Sequence, residues 1–404
     1  MKLNNSSNEG PKFTRISVGS LFGYVKHSKV GLLSDNDNEI NLPNIIIPSI
    51  SNSHIGLIAG QSANSTFEKF SFVPNISIGN ELFQDNLFGG IVGYSTNSRF
   101  ANLTIGNYRQ IEGAKSENQG SINILNTSGT NYIGNISGRM ESSSEISDVN
   151  IYSSLSVNLP EENLEDNTIL YIGGISGYAE NSIVNADSIE ESYKSNAIVR
   201  VYGNVNIVVP ENLKLINNPE MYIGGAFGFV NSSKIYNCYT TGNIEINLNK
   251  NHEAQEMMLL YTSGLVAYLD DSNYASEFYN NIVAGNIYPL GIIYDKSLTS
   301  YKDFFYGGIV AKINKDNANV ENPNILHNYS INTLYNRKDN KLSNNYYVNA
   351  IIGEGSVNNI SKPEDYNMYS NVYTLCTDKQ TTFASNVTLE ALFSQIKDKL
   401  NPSI

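Results

Sequence analysis

The residues able to do chemistry in this chain are few and poorly spaced for it. Its four histidines, His27, His54, His252 and His327, are scattered, and no His-Glu-x-x-His segment exists to hold a protease zinc on one helix face. The two cysteines, Cys238 and Cys376, make no recognisable zinc spacing. Cys238, between Asn237 and Tyr239 on a strand-like alternation, reads as a small core residue rather than a nucleophile. Asp35-Asn36-Asp37-Asn38-Glu39 alternates oxygen ligands suited to Ca²⁺ but lacks the glycine and distal glutamate of a calcium loop, so a solvated polar turn is the preferred reading. Asp270-Asp271 could act as paired carboxylates at a sugar, with Glu180 the one carboxylate in comparable register. The plainer reading of that pair is a charged turn. Tyr94, Tyr178 and Tyr268 could form a ladder on which sugar rings stack, or simply cover the outer surface. These readings predict no catalytic residue, no metal and no cofactor, and leave the three tyrosines as the candidate binding residues.

What positions these side chains is a repeat. Aromatic-aliphatic-Gly-Gly-aliphatic-x-Gly-aromatic appears at Phe88 to Tyr94, Tyr171 to Tyr178 and Tyr222 to Phe229. Looser copies run from Val18 to Tyr24, Ile55 to Gln61, Tyr132 to Arg139, Tyr261 to Tyr268 and Phe305 to Lys312. The mean period is about 41 residues, in the range of stacked supersecondary units. Uneven spacing is absorbed if extra residues leave the stack as loops, the expected insertions being Ile111 to Asn126 and Pro210 to Pro219. A serine follows the last motif glycine by five positions in six copies, at Ser28, Ser65, Ser98, Ser143, Ser182 and Ser233. A turn-forming residue often precedes it, as in Asn64-Ser65, Asn97-Ser98 and Asn181-Ser182. Next comes a second alternation, such as Lys234 to Tyr239, and then a third opened by a Gly-Asn step at Gly203, Gly242 or Gly285. Each repeat is therefore predicted to give three short strands.

Helix is disfavoured because each motif glycine would cost about 1 kcal/mol against alanine in a helix interior. One turn of three strands cannot bury its own apolar face, so it must stack on its neighbours. The column Leu21, Ile58, Ile91, Ile136, Ile175, Ala226, Leu265 and Ile309 is aliphatic or Ala throughout and is expected to point inward. The opposite column, Tyr24, Gln61, Tyr94, Arg139, Tyr178, Phe229, Tyr268 and Lys312, admits polar residues and is expected to point outward. The fold this predicts is all-β: a right-handed parallel β-helix solenoid of about eight or nine three-stranded coils, with Asn and Ser ladders at the turns. Eight coils at the strand spacing make a rod of about 40 Å. A β-propeller has a similar period but needs four strands per blade, and the chain contains no tryptophan to match a propeller signature.

Gly-Gly-aliphatic-x-Gly-aromatic, a turn with Ser, a strand and Gly-Asn-aliphatic together resemble the GLUG motif, a glycine-rich repeat of large bacterial surface and secreted proteins, including adhesins. The resemblance covers residues 16 to 312 and, more weakly, on to about 356. It implies a non-catalytic surface or secreted β-helix, an adhesin-like binding or structural spacer module whose partner is a host or neighbouring macromolecule such as a glycan. The alternative is a carbohydrate-active or carbohydrate-binding β-helix, of the polysaccharide lyase or glycosidase kind, in a phage or secretion system. The occurrence of the motif in some immunoglobulin A proteases implies no proteolysis here. Flat Thr-x-Thr arrays for ice binding are absent from the sequence.

Composition fits an exposed rod. The 404 residues carry a net charge of −13 with only 16% charged residues. An acidic chain without a basic stripe is a poor binder of phosphate backbones; Arg99 and Lys234 are too diluted, so no nucleic-acid partner is expected. No apolar run is long enough for a transmembrane helix, and residues 1 to 9 lack the apolar core of a signal peptide. The expected location is the cell surface or exterior, as part of a larger exported protein, with a cytosolic rod as the other option. The expected division is a lead-in over 1–15, solenoid repeats over 16–360 and a tail over 361–404. Tyr346 to Gly353 is a degenerate ninth copy. Leu389, Leu392, Phe393, Ile396 and Leu400 follow helical spacing, with Thr388 as N-cap and Asn401-Pro402 as stop, so 388–400 is expected to be an amphipathic helix covering the open last coil. Cys238 and Cys376 lie about 3.4 coils apart, roughly 16 Å along the rod, so two free thiols are expected.

Overall fold

The structure, a computed structural model, describes residues 13–31, 40, 42, 47, 49–107, 120–161, 164, 167–185, 197–210, 213, 219–247, 259–271, 274–290, 304–314, 323–326, 328–330, 346–349 and 352–354. Among these residues every element is a β-strand, and the strand pairings are parallel. Strands one repeat apart are neighbours, so the chain stacks on itself rung upon rung. The sequence-based expectation of a parallel β-solenoid is met. The expected tail helix at 388–400, the acidic segment Asp35 to Glu39, Cys376, His252 and His327 lie outside the described residues.

The motif itself is two strands rather than one. In the copy around Tyr171 the strand Ile169–Gly173 ends at the glycine pair, and Ser176–Glu180 leaves it in a new direction. The first halves of successive motifs form a nine-stranded sheet and the second halves another nine-stranded sheet. The next alternation is also broken. Lys69, Asn102, Asp148, Asn185, Asn237 and Asn280 all have positive φ in the run after the serine turn; the first three lie within continuous strands, Thr66–Phe72, Arg99–Ile105 and Glu145–Ile151, and the last three each separate two short strands, all in one twelve-stranded middle sheet. The strands after the Gly-Asn steps at Gly203, Gly242 and Gly285 continue a six-stranded sheet that begins with Asn75–Ile78, Ser121–Ile124 and Ser154–Asn158. Three strands per repeat was therefore too few, because the turns inside the runs are made by residues that period-two counting passes over. The expected insertion Ile111 to Asn126 is also shorter, since Ser121–Ile124 is a strand of the six-stranded sheet.

The core runs along the axis. Ile58, Ile91, Ile136, Ile175, Ala226, Leu265 and Ile309 are fully buried, as the inward column requires, whereas Leu21, the first member of that expected column, is 49% exposed. Full burial of a side chain such as Ile or Phe contributes about 1.5–3 kcal/mol. Phe67, Phe83, Phe88, Phe100 and Phe278 fill the same interior. Cys238 is a free, buried thiol in that core, and burial pushes its pKa up, so it stays protonated and inert.

The turns are held by side chains stacked in register. Ser28, Ser65 and Ser98 each donate a backbone N–H to the serine Oγ one rung on, namely Ser65, Ser98 and Ser144. Each of those hydroxyls donates in turn to a carbonyl of its own turn. The same pattern resumes from Ser182 to Ser233 to Ser276. In the fourth copy the ladder uses Ser144 rather than the expected Ser143, because Ser142 and Ser143 both take positive φ and lengthen that turn by one residue. Asparagines do the same work elsewhere: Asn86 donates its backbone N–H to Asn131 Oδ1, Asn281 to Asn328 Oδ1 and Asn286 to Asn243 Oδ1. Buried donors are thereby satisfied at corners that no sheet ladder reaches.

Candidate functional site

The most distinctive surface of the rod is the outer side of the two motif sheets. On the first sheet the outward column is Ser17, His54, Leu87, Tyr132, Tyr171, Tyr222, Tyr261 and Phe305. On the second it is Tyr24, Gln61, Tyr94, Arg139, Tyr178, Phe229, Tyr268 and Lys312. Parallel register puts each ring on the ring below. Centroids are 4.7 Å apart for Tyr132–Tyr171, 4.8 Å for Tyr171–Tyr222, 4.7 Å for Tyr222–Tyr261 and 4.7 Å for Tyr261–Phe305. The second column stacks at 5.0 Å for Tyr178–Phe229 and 5.1 Å for Phe229–Tyr268.

The two columns also touch each other. Tyr222 meets Tyr268 edge to face at 5.3 Å and Tyr261 meets Tyr268 at 5.1 Å. Rings on the outer faces of two sheets can meet only if the corner between the sheets folds inward, so the outside of the motif is a crease. The last motif glycine makes its floor. A Cβ on Gly177 would land on the backbone N of Ile133 and the carbonyl of Tyr171, and one on Gly228 on the backbone of Ile172 and Gly177. Where Ala267 and Ala311 replace glycine, their methyl groups pack into the aromatic cluster with Tyr222, Tyr261 and Phe305. The first column was present in the sequence motif as its leading aromatic, but the reading from sequence assigned an outer face only to the trailing one. Phe88, the leading aromatic of its own copy, differs: it pairs with Ile133 and is buried in the core, leaving Leu87 in the outer column.

The ends of the second aromatic run are closed by cations. Arg139 sits in register between Tyr94 and Tyr178, its guanidinium carbon 4.6 Å from the Tyr178 centroid and 5.5 Å from that of Tyr132. Its charge is paired with Glu141. At the other end Lys312 follows Tyr268 in register and places Nζ 4.4 Å from the Phe305 ring. A cation over a ring face is worth about 0.5–2 kcal/mol. The hydroxyls face carboxylates: Tyr94 donates to Glu141 at 2.7 Å, Tyr178 to Glu180 at 3.2 Å and Tyr222 to Glu220 at 2.6 Å. Burial, then the Glu141 hydrogen bond and charge, pushes the Tyr94 phenol up to about 12, and burial raises Tyr171, Tyr178 and Tyr222 as well. These phenols are hydrogen-bond donors at neutral pH, not nucleophiles or bases.

Of the candidate tyrosines, the structure brings Tyr178 and Tyr268 into one column with Phe229 between them, and sets Tyr94 apart from them behind Arg139. The faces of Tyr178 are taken by Arg139 and Phe229, so the column offers ring edges and hydroxyls rather than broad faces. Tyr94 meets His54 at 5.4 Å, and His54 bonds Gln61; burial lowers the pKa of that histidine.

The carboxylate pair does not converge on a site. Asp271 is buried and accepts the backbone N–H of Ser276 at 2.9 Å and its hydroxyl at 2.6 Å, occupying the place that the next rung's serine fills elsewhere in the ladder. Desolvation, offset in part by these bonds, raises its pKa. Asp270 shares an outward column with Glu180, but Asn231 stands between them, so they are two rungs apart. Among the described residues no group of three or more His, Cys, Asp or Glu side chains is placed to hold a metal, and no helix is long and apolar enough to cross a membrane. Comparison with protein-family models, with curated proteins and with solved structures returns no match.

Proposed function

We propose that this chain is a non-catalytic rod of a bacterial surface or secreted protein, a GLUG-like right-handed β-helix of eight or nine coils. It acts as an adhesin-like binding module or spacer outside the cell. The observation that carries this reading is the crease: aromatic columns that stack on themselves and end on Arg139 and Lys312 make a continuous spine rather than an open pocket. The seamed serine and asparagine turns favour the same reading, since they tie successive rungs together at their corners. Recognition of a host or neighbouring macromolecule, a glycan among the candidates, falls to the ring edges, the tyrosine hydroxyls and their carboxylates along the crease rim. The test is a glycan and extracellular-matrix array probed with the purified protein, with reducing-sugar release measured on the same glycans. Binding without release is expected of a binding module, and neither binding nor release of a pure spacer. Sugar release would replace this reading with the carbohydrate-active one.

A further inference from the structure

The aromatic crease closes toward the C-terminal side, where Tyr222, Tyr261 and Phe305 are buried, and opens at Leu87. Tyr132 is only partly buried, and its stacking is one-sided. It lies on Tyr171, while on the opposite side its register neighbour is Leu87 rather than a ring. A leucine ends at its Cδ methyls, where a tyrosine ring has only begun, so the outer part of the Tyr132 ring overhangs the rung of Leu87. His54 is the next residue of the column beyond Leu87. Rings in this column repeat at 4.7 to 4.8 Å, so the two steps from Tyr132 to His54 leave room for one further ring in the layer of Leu87.

The second column breaks at the same level. Arg139 stands in place of a ring between Tyr94 and Tyr178, and its guanidinium lies over Tyr178 and Tyr132, with no such contact to Tyr94. Glu141 pairs with Arg139 and accepts the Tyr94 hydroxyl, and Glu180 accepts that of Tyr178. The turn after Glu141 departs from the repeat as well. Ser142 and Ser143 both take positive φ there, where the turns at Asn64, Asn97 and Asn181 have one such residue. Departures from the repeat in both columns and in the adjoining turn thus meet at one opening.

The chemistry of that opening suits a sugar. A pyranose presents an apolar C–H face that packs on an aromatic ring, and a rim of hydroxyls, each of which both donates and accepts. Tyr132 supplies the ring face, Arg139 the donors, and Glu141 and Glu180 the acceptors. Arg139 with Glu141 is a neutral pair and Glu180 adds a negative charge, so a sugar acid is repelled.

We propose that this opening is a subsite for a single uncharged hexopyranose unit of a glycan. The C–H face of the sugar lies against Tyr132 in the layer of Leu87, and adjacent hydroxyls bond Arg139 and the carboxylates of Glu141 and Glu180. The subsite rests on the reading of the crease as the recognition surface and adds the place and the class of sugar.

The test is a saturation-transfer NMR titration of the full chain with the methyl glycosides of glucose, galactose, mannose and N-acetylglucosamine, and with methyl glucuronide as the charged control. At least one neutral glycoside should bind, with saturation strongest on the C–H protons of one ring face, and the glucuronide should bind more weakly. Leu87→Tyr continues the ring column through the opening, so it should keep or raise the urea midpoint while weakening that glycoside about tenfold. Arg139→Gln and Glu141→Gln should each weaken it severalfold, and Thr66→Val on the middle sheet should leave it unchanged. No binding of any neutral glycoside, preference for the glucuronide, or undiminished binding by Leu87→Tyr would overturn the subsite. If Leu87→Tyr lowers the midpoint, undiminished binding by Arg139→Gln and Glu141→Gln overturns it instead. Binding that survives Leu87→Tyr but is lost in Phe229→Ala would move the sugar to another part of the crease and leave the recognition reading standing. Array binding untouched by any of these crease variants would sink that reading itself.

Discussion

The aromatic crease and the outer face of the middle sheet are both columns of side chains spaced by the same parallel register, yet they resolve that spacing oppositely. In the aromatic runs of the crease, Tyr132 to Phe305 and Tyr178 to Tyr268, like sits on like, ring on ring at 4.7 to 5.1 Å. On the middle sheet the column through Lys29, Thr66, Arg99, Glu145, Ile183, Lys234 and Glu277 alternates in character, and its charges are matched in pairs. Arg99 faces Glu145 at 3.6 Å and Lys234 faces Glu277 at 3.5 Å. Parallel stacking brings equivalent residues together at each rung, so neutral rings and amides can repeat whereas charges must alternate. The aromatic runs of the crease accordingly repeat one residue type from rung to rung, and the middle-sheet column does not.

The sharpest way to break the comparison is to fill the crease floor. Gly177→Val puts a branched side chain where even a Cβ meets backbone of the adjoining strand, and should cost about 3 kcal/mol. Thr66→Val on the middle sheet should stay within about 0.5 kcal/mol. Urea unfolding midpoints of the two variants measure the difference, and equal shifts would mean that the corner is not folded inward. Next in size is removal of one ring from the stack. Phe229→Ala loses stacking on Tyr178 and Tyr268 together with its edge contacts to Tyr171 and Tyr222, about 2 kcal/mol for a half-buried ring. Lys234→Ala should cost less than about 1 kcal/mol, as partly exposed surface ion pairs do.

How much of this was legible follows from the same contrast. The Gly-Gly pattern named the stack, its period and its inward column, because those residues are fixed by packing that every rung repeats. Ser65 and Ser98 were legible as turn residues for the same reason, and Ser144 was misplaced by one because an inserted residue leaves no mark on a polar turn. The corner inside the motif was not legible. Three glycines in eight residues announce tight backbone, but whether the chain bends toward or away from its core depends on which outer rings meet across it. Glu141 and Arg139 were hidden as partners of Tyr94 for a related reason: they come from the next rung, forty-odd positions away, and a period-two pattern carries no sign of cross-rung charge.

The tyrosines sharpen the comparison through pH. Folding raises the Tyr94 pKa from its ordinary value near 10 to about 12, and those of Tyr171, Tyr178 and Tyr222 also rise. An acid whose folded pKa is raised adds stability that is fully present below its unfolded pKa and is lost as pH climbs through the folded value. Stability should thus fall between pH 10 and about 12, while phenolate absorbance at 295 nm lags the model-tyrosine curve and then rises together with unfolding. Early ionisation of all the phenols in a still-folded rod would show that the crease is open to water.

The smallest effect belongs to the charged face and tests the alternation directly. Lys234→Glu sets a carboxylate against Glu277 in the adjoining rung. Cross-strand pairs of like charge lose about 0.2–1 kcal/mol, so the variant should unfold at slightly lower urea than wild type. Because the site is partly exposed, 1 M salt shortens the screening length to about 3 Å and should erase most of that loss. The loss from Phe229→Ala, which involves no charge on either partner ring, should survive the same salt. A deficit in Lys234→Glu that salt does not relieve would mean that the middle sheet, like the crease, is held by packing, and the distinction between the two faces would fail.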